Sequence, residues 1–300
     1  MPIQDPINPY KSYEVQTKVL QKAFQDVVTA NEKAVIAMQK GIGSDYARML
    51  KQLKEILSSA HSKYAVAGKL NWQELQRYNR IKTLEKNINE VIQDNYAPIK
   101  KRVIQDNKNI IENTYQGSVN IISAAAQVKL PTLKGYQINA ILSKPISGWT
   151  LQERMALRVT DLGFRLNGSI KSGLQGDGIT YKDQMKELDT LITKDYQKTG
   201  KLIEDMAHQH QSQAEQEAFD AAGEEGLQLF KEWVSAGDNR VRDSHVAMDG
   251  QQVDVADMFT FVEGDNKGAK TDMPGTSGIA GEDINCRCWM VVGIKIRDKE

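Results

Sequence analysis

Apolar residues recur every three or four positions through the first three quarters of this chain, and proline seldom interrupts them. That spacing places them on one face of a helix, so it restricts most of the chain to long amphipathic helices. From about Ser12 to Lys40 the stripe is Val15, Val19, Leu20, Phe24, Val27, Val28, Val35 and Met38. Gly41 and Gly43 predict a break there. Ser44 predicts the cap of a second helix, with Met49, Leu50, Leu53, Ile56, Leu57 and Tyr64 inward and Gly68 at its end. Asn71 opens a third, with Trp72, Leu75, Tyr78, Ile81, Leu84, Ile88, Val91 and Ile92 on one side. Pro98 predicts a kink or interruption, because it lacks an N–H and crowds the preceding turn. The stripe resumes through Val103, Ile104, Ile111, Tyr115, Val119 and Ile122, until Pro131 stops it. Lys, Glu, Gln and Asn fill the positions between, as suits narrow seams between antiparallel helices.

Leu130–Gly148 reads as a connector. Thr150-Leu151-Gln152-Glu153 is a capping box and starts a helix. Leu166–Gly178 holds four glycines and reads as a turn region. Thr180 caps a further helix with Met185, Leu188, Leu191 and Ile192 inward. A last long helix is predicted from about Asp195 to Phe230. It has few large apolar residues past Met206, which predicts light packing or partial solvation. His208 and His210 fall on different faces of it and read as solvated.

The chain changes character near Gly226, where Gly, Asp and Pro begin to separate short apolar pieces. Trp233-Val234 closes a helix or opens a strand. Val253–Phe261 alternates, Glu263–Glu282 reads as a long irregular loop, and Cys288–Ile296 is the best strand. The predicted fold is mainly α: long antiparallel helices, then a small α+β C-terminal domain. The predicted segments are 1–146, 147–230 and 231–300.

Lys+Arg and Asp+Glu both number 39, so the formal net charge is zero. A surface given over to binding phosphates is thereby disfavoured. From Trp233 to Glu300 there are 8 Lys+Arg against 12 Asp+Glu, so the C-terminal part is mildly acidic and the remainder mildly basic. Mean hydropathy is −0.51. The most apolar stretch, Val119–Val128, is interrupted by Asn120, Ser123 and Gln127 and is far too short for a bilayer. Met1–Asp5 shows no basic patch followed by an apolar run, so no signal peptide is predicted, and the default location is the cytoplasm of the producing cell.

The two cysteines, Cys286 and Cys288, are separated by Arg287 alone. In extended backbone they share a face, too far apart for a relaxed disulfide, so they read as two free thiols or two metal ligands. His245 is the only histidine of the C-terminal part. Imidazole and two thiolates suit Zn²⁺, which takes four ligands, and the fourth would be Asp249, Asp238 or water. Arg287 would then point away and pair with Asp238 or Glu282. The same cysteines can equally be small buried hydrophobes, and His245 a hydrogen-bond partner. Trp233 and Phe259 read as core anchors. Arg240 and Arg242 stand among Asp238, Asp243 and Asp249, as in an internal salt-bridge turn, and Asp249-Gly250 marks a tight turn or hairpin. The chain lacks H-E-x-x-H, the deaminase H-x-E with P-C-x-x-C, a P-loop, G-x-G-x-x-G and G-x-S-x-G. No catalytic residues are therefore assigned.

In order, the C-terminal part presents Trp233, Asp238, Arg240, Arg242, His245, Asp249-Gly250, Phe259, Pro274-Gly275, Glu282, Asn285 and Cys286-Arg287-Cys288. This resembles the C-terminal domain of the phage head morphogenesis family, the Mu F-like minor head proteins. That family's pattern is Trp, Asp-x-Arg-x-Arg-x-x-His, a pair ending Asp-Gly or His-Gly, an aromatic, Pro-Gly, then Asn-Cys-Arg-Cys. The resemblance is strong over Glu232–Trp289, weaker from position 147 to Phe230, and uninformative before that. Where the family often has Arg-Thr-Glu ahead of the Trp, this chain has Ser212-Gln213-Ala214-Glu215. The resemblance implies a structural minor capsid component of a tailed phage, present at few copies at the portal or head interior. Its implied partners are the portal protein, major capsid or scaffold proteins, and packaged DNA. Its implied location is the virion, and the host cytoplasm during assembly. Two alternatives differ in class. One is a zinc-dependent hydrolase or nuclease with Glu282 or Asp249 as general base. The other is an ejected DNA-associating protein, for which the basic bias of residues 1–232 leaves room.

Overall fold

The computed structural model describes residues 10–146 and 148–294, with side chains from Leu20 onward. Met1–Asp5, the side chains of Val15 and Val19, and the predicted strand end at Ile296 lie outside the described residues.

The molecule is mainly α, with short strands concentrated towards the C-terminus. Helix α1 spans Tyr10–Tyr64 without a break. The break predicted at Gly41 and Gly43 does not occur, and Ser44 caps nothing: its hydroxyl donates back to the Gly41 carbonyl at 2.8 Å. A mid-helix glycine costs only about 1 kcal/mol against Ala, and here close neighbours replace the missing side chains. A Cβ at Gly41 would stand 3.1 Å from an Arg102 guanidinium nitrogen, and one at Gly43 would stand 3.5 Å from the Tyr196 hydroxyl.

Strand β1 (Lys69–Leu70) follows, then α2 (Trp72–Gln76), whose cap Asn71 accepts from the Glu74 amide as predicted. The third helix is nevertheless interrupted: Tyr78 and Asn79 adopt positive φ, and α3 starts at Arg80 and runs to Ala126. Pro98 lies inside α3 and does not end it. The stop comes earlier than Pro131. Gln127 turns left-handed at φ 55°, and the Val128 amide reaches back to the Ser123 carbonyl at 3.2 Å, closing the helix end. The predicted connector contains helix α4 (Gly135–Leu142), which buries Ile138, Ile141 and Leu142.

Helix α5 spans Leu151–Gly173 behind the predicted capping box. Thr150 Oγ1 accepts the Glu153 amide at 3.2 Å, and Glu153 accepts the Thr150 amide in return at 2.8 Å. The helix continues through most of the expected turn region, because Leu166 and Ile170 have a core to reach. Strand β2 (Ile179–Thr180) pairs with β1, and Thr180 caps α6. Helix α6 runs unbroken over Tyr181–Glu224, where the sequence pattern predicts two helices.

The chain forms two compact units. One comprises Val35–Asp106 and Trp149–Glu204; the other holds residues up to 34, Asn107–Gly148, and everything from Asp205. The first unit buries Ile42, Met49, Leu53 and Leu57 of α1, Ile88, Ile92 and Ile99 of α3, and Leu151, Met155 and Leu162 of α5. Buried within it, Asp195 accepts from Tyr46 Oη at 2.7 Å, from Tyr96 Oη, and from the guanidinium groups of Arg158 and Arg165, the latter at 3.0 Å. Burial, together with the Asp195 charge, pushes both tyrosine hydroxyls well above their ordinary range.

The second unit contains the three-stranded antiparallel sheet β4-β3-β7, with β3 at Leu229–Val234, β4 at Gln252–Asp254 and β7 at Trp289–Ile294. Phe230 pairs across with Gly293, and its ring lies so close that a Cβ there would stand 2.1 Å from it. A ribbon of β5 (Phe259–Thr260) and β6 (Lys270–Thr271) stands beside short helices α7 (Asp243–Val246) and α8 (Ala280–Asp283). The expected long loop thus contains regular structure. The largest correction concerns α6, for which the sequence predicts light packing past Met206. Gln209 to Glu215 are all buried. Counting large apolar residues misses this segment, because Ala207, Ala214, Ala218 and Ala222 permit close approach and some of the polar groups bond one another. Asn31 Nδ2 donates to Thr114 at 2.7 Å and to Gln211 at 3.0 Å, and Gln211 donates to Glu215 at 3.1 Å. Among the described residues no helix is long and apolar enough to cross a membrane.

Candidate functional site

The elements of the second unit converge on His245, Cys286 and Cys288. His245 occupies the single turn of α7, whose amides from His245 to Ala247 bond back to the Arg242 and Asp243 carbonyls. After α8 the chain must reverse before β7. Asn285 does this at φ 58°, a left-handed conformation that Asn tolerates, with its amide on Asp205 Oδ1 at 2.8 Å. Beyond it, Cys286 and Cys288 turn inward while Arg287 turns out. Arg287 grips Asp238 with two bonds of 2.7 and 2.6 Å, a forked pair that fixes the direction of both thiols.

His245 Nδ1 lies 3.7 Å from Cys286 Sγ and 3.4 Å from Cys288 Sγ. On the other side of the ring, Nε2 lies 3.1 Å from Glu282 Oε2. Glu282 is itself held by Ser244 Oγ at 2.9 Å and by Asn266 Nδ2 at 2.7 Å. Trp233 meets the imidazole edge to face at a centroid distance of 5.4 Å, and Phe261 lies 5.8 Å away. The three donors are almost sealed: His245 is 2% exposed, Cys286 4% and Cys288 1%.

The thiols are not equivalent. The bond from Cys286, and then His245, hold the Cys288 thiol below its ordinary range, against the effect of burial. Pairing with Cys288, with burial adding to it, pushes Cys286 up. Burial opposes ionisation of Glu282, but bonds from Asn266 and Ser244 and the nearby His245 bring its carboxyl below the usual range. The arrangement is a soft donor set backed by a fixed carboxylate.

Other residues singled out from the sequence stand elsewhere. Asp249 is not with the thiols: its Oδ1 accepts the Ser235 amide at 2.7 Å. Asp238 is taken by Arg287, whose bonds together with the Arg240 amide hold its carboxyl far below the ordinary range. Neither can be the fourth ligand expected from sequence while these bonds stand. Arg240 is exposed, 3.7 Å from Asp238. Arg242 joins no salt-bridge turn; its guanidinium caps the Glu282 and Ile284 carbonyls behind α8. Gly250, at φ 76°, brings β4 back against β3, with its amide on the Trp233 carbonyl at 2.8 Å. Trp233 and Phe259 are buried edge to face at 5.4 Å. Pro274-Gly275 forms a buried turn in which a Cβ at Gly275 would stand 2.9 Å from His208 Nδ1.

That last contact corrects the expectation for His208, which is not solvated. Its Nε2 lies 2.6 Å from the Cys288 carbonyl, and burial holds its pKa below the ordinary range. His210 is fully buried on Asn107 Oδ1 at 2.8 Å, and burial lowers its pKa to about 4. Lys231 is a further buried group that the sequence pattern does not single out. It crosses the sheet interior to Gln216 Oε1 at 3.0 Å and the Asp272 carbonyl at 2.9 Å. No local signal marks these residues, because their partners are distant in sequence.

Residues 166–291 match the family described as Phage Mu protein F like protein. This is a Mu F-like region. The match bears out the resemblance carried by Trp233 to Cys288 and the weaker one ahead of it, from residue 166 through α6. The Mu F-like region contains all three soft donors, Glu282, and the buried polar run of α6. Two curated proteins are similar to the chain. "Minor head protein GP7" of Bacillus phage SPP1 is 23% identical over 281 residues, covering 91% of this chain and 85% of that protein. "NAD(+)--arginine ADP-ribosyltransferase EFV" of Enterococcus faecalis (strain ATCC 700802 / V583) is 25% identical over 227 residues. That alignment covers 75% of this chain, and the chain spans only 45% of the transferase's length. No solved structure matches the chain.

Proposed function

We propose that this protein is a structural minor head component of a tailed phage, built into the particle at few copies at the portal or head interior. The observation that carries the reading is the near end-to-end likeness to a minor head protein, 91% of one chain against 85% of the other. A likeness that uses 45% of a longer transferase points to a shared part, so the transferase activity is left with that protein. The buried site supports a structural role from another side. Thiols exposed by 1% and 4% cannot meet a macromolecular substrate without local unfolding, whereas buried ligands and ring contacts can hold a small domain in shape. On this reading the partners are the portal protein and major capsid or scaffold proteins, with packaged DNA as a neighbour, and the protein resides in the virion after assembly in the host cytoplasm.

The test is to tag the chain in a producing infection, purify DNA-filled particles and quantify it beside the portal protein. Chemical cross-links should join it to the portal ring or inner capsid at a few copies per particle. Particles that form, fill and infect normally without the chain would overturn the reading.

A further inference from the structure

We infer that His245 Nδ1, Cys286 Sγ and Cys288 Sγ bind one divalent ion of soft or borderline character, Zn²⁺ foremost, with a water as fourth ligand and Glu282 positioning the imidazole. The inference is independent of the head-assembly reading and would stand or fall without it.

Geometry carries it. Zinc bonds of ~2.0–2.1 Å to nitrogen and ~2.3 Å to sulfur, at tetrahedral angles, put nitrogen and sulfur about 3.5 Å apart. The observed separations are 3.4 and 3.7 Å, and all three donor atoms lie within 4.8 Å of one another. The remaining histidines make a useful contrast. His61 rests on Gln184, His208 on a carbonyl and His210 on Asn107, each at an oxygen. His245 alone turns a nitrogen to two sulfurs. Its second nitrogen lies 3.1 Å from a Glu282 oxygen but is not aligned as a hydrogen bond; once the ring turns to meet it, a carboxylate so placed fixes tautomer and ring direction in metal-bound histidines. That carboxylate is secured in turn by Ser244 and Asn266.

Charge balance agrees. Two thiolates in a sealed pocket are very unfavourable alone, whereas a dication beside them brings the group to neutrality. Binding would take both cysteines as thiolates, any remaining thiol proton passing to solvent, with the Nε2–H on the Glu282 side. Arg287 contributes by clamping the backbone between the sulfurs from outside through Asp238. The ion would link α7 to the entry of β7.

The experiment uses the full chain, purified in reductant without chelator. Elemental analysis should give about one zinc per chain. After removal of the metal, added Co²⁺ should produce tetrahedral visible bands and a sulfur-to-cobalt charge-transfer band in the near ultraviolet. Cys286→Ser and Cys288→Ser should each lose the charge-transfer intensity and most of the bound metal. Glu282→Gln should keep the stoichiometry but weaken affinity roughly 10–100-fold in competition with a chromophoric chelator. Because the cysteine variants can fail by misfolding, the wild-type chain decides the question. Wild type with less than a tenth of an equivalent of zinc and no cobalt–sulfur band would overturn the site. Unchanged affinity in Glu282→Gln would overturn the role given to that carboxylate.

Discussion

The Asp195 cluster and the His245 cluster are both buried, polar and built from residues far apart in sequence, yet they are chemically opposite. Around Asp195 a hard carboxylate is saturated: two tyrosine hydroxyls and two guanidinium groups converge on it, and Tyr46 Oη also lies 2.8 Å from Thr199 Oγ1. The carboxylate itself is fully supplied with donors, and the cluster fixes helix register. Around His245, soft atoms gather at 3.4 and 3.7 Å, distances that an ion can bridge. Saturation thus separates a polar cluster that holds a fold from one that can take a guest.

Breaking the saturated cluster should have the largest effect. Asp195→Ala leaves two guanidinium groups and two hydroxyls buried without their acceptor, which should cost roughly 3–5 kcal/mol. Urea denaturation followed by circular dichroism measures it, and a loss below about 1 kcal/mol would mean that water readily replaces the carboxylate. Next comes Cys288→Ser, which puts a hydroxyl where His245 and Cys286 present a thiol environment. A loss of roughly 2–3 kcal/mol is expected in the same assay, and it should shrink when wild type is compared in excess chelator.

A third measurement sharpens the contrast through pH. Burial lifts the Glu215 carboxyl to about 8 despite the bond from Gln211. The folded state therefore keeps a proton that the unfolded chain releases, and stability falls as pH rises from the unfolded value towards 8. His210, lowered to about 4 by burial, acts in the opposite sense: stability falls as pH drops from 6.5 to about 4. The His210 slope opposes that of Glu215 below 6.5, and the depressed Cys288 thiol opposes it above, so Glu215 is isolated by difference. Between pH 6.5 and 8, Glu215→Gln should remove a fall of up to ~1.4 kcal/mol per pH unit from the wild-type curve. The smallest effect is expected for Tyr46→Phe. Asp195 keeps three other donors, so the loss should be about 1 kcal/mol; a much larger one would show that the Tyr46 hydroxyl organises the cluster.

These clusters also mark how far the sequence could be read. Helical periodicity predicted most of α1, α3, α5 and α6, and the Thr150 and Asn71 caps formed as their side chains require. Gly41 and Gly43 misled because a glycine penalty of about 1 kcal/mol is small beside packing. The buried polar run of α6 was illegible for a different reason: hydrophobicity counts large apolar side chains, while Gln211, Glu215 and Asn31 are buried by virtue of one another. His245, Cys286 and Cys288 could be grouped from sequence because soft donors are scarce there. The Glu282 contact with His245, the Cys288 carbonyl on His208 and the whole Asp195 cluster depend on pairings that no local pattern encodes.

Amide hydrogen exchange of the wild-type chain, recorded with and without a strong zinc chelator, tests the contrast most directly. If the His245 cluster holds a metal and the Asp195 cluster needs none, chelation should deprotect the amides of Leu229–Val234 and Trp289–Ile294 while those around Asp195 on α6 keep their protection. Identical exchange in both conditions, or equal loss in both regions, would contradict the account.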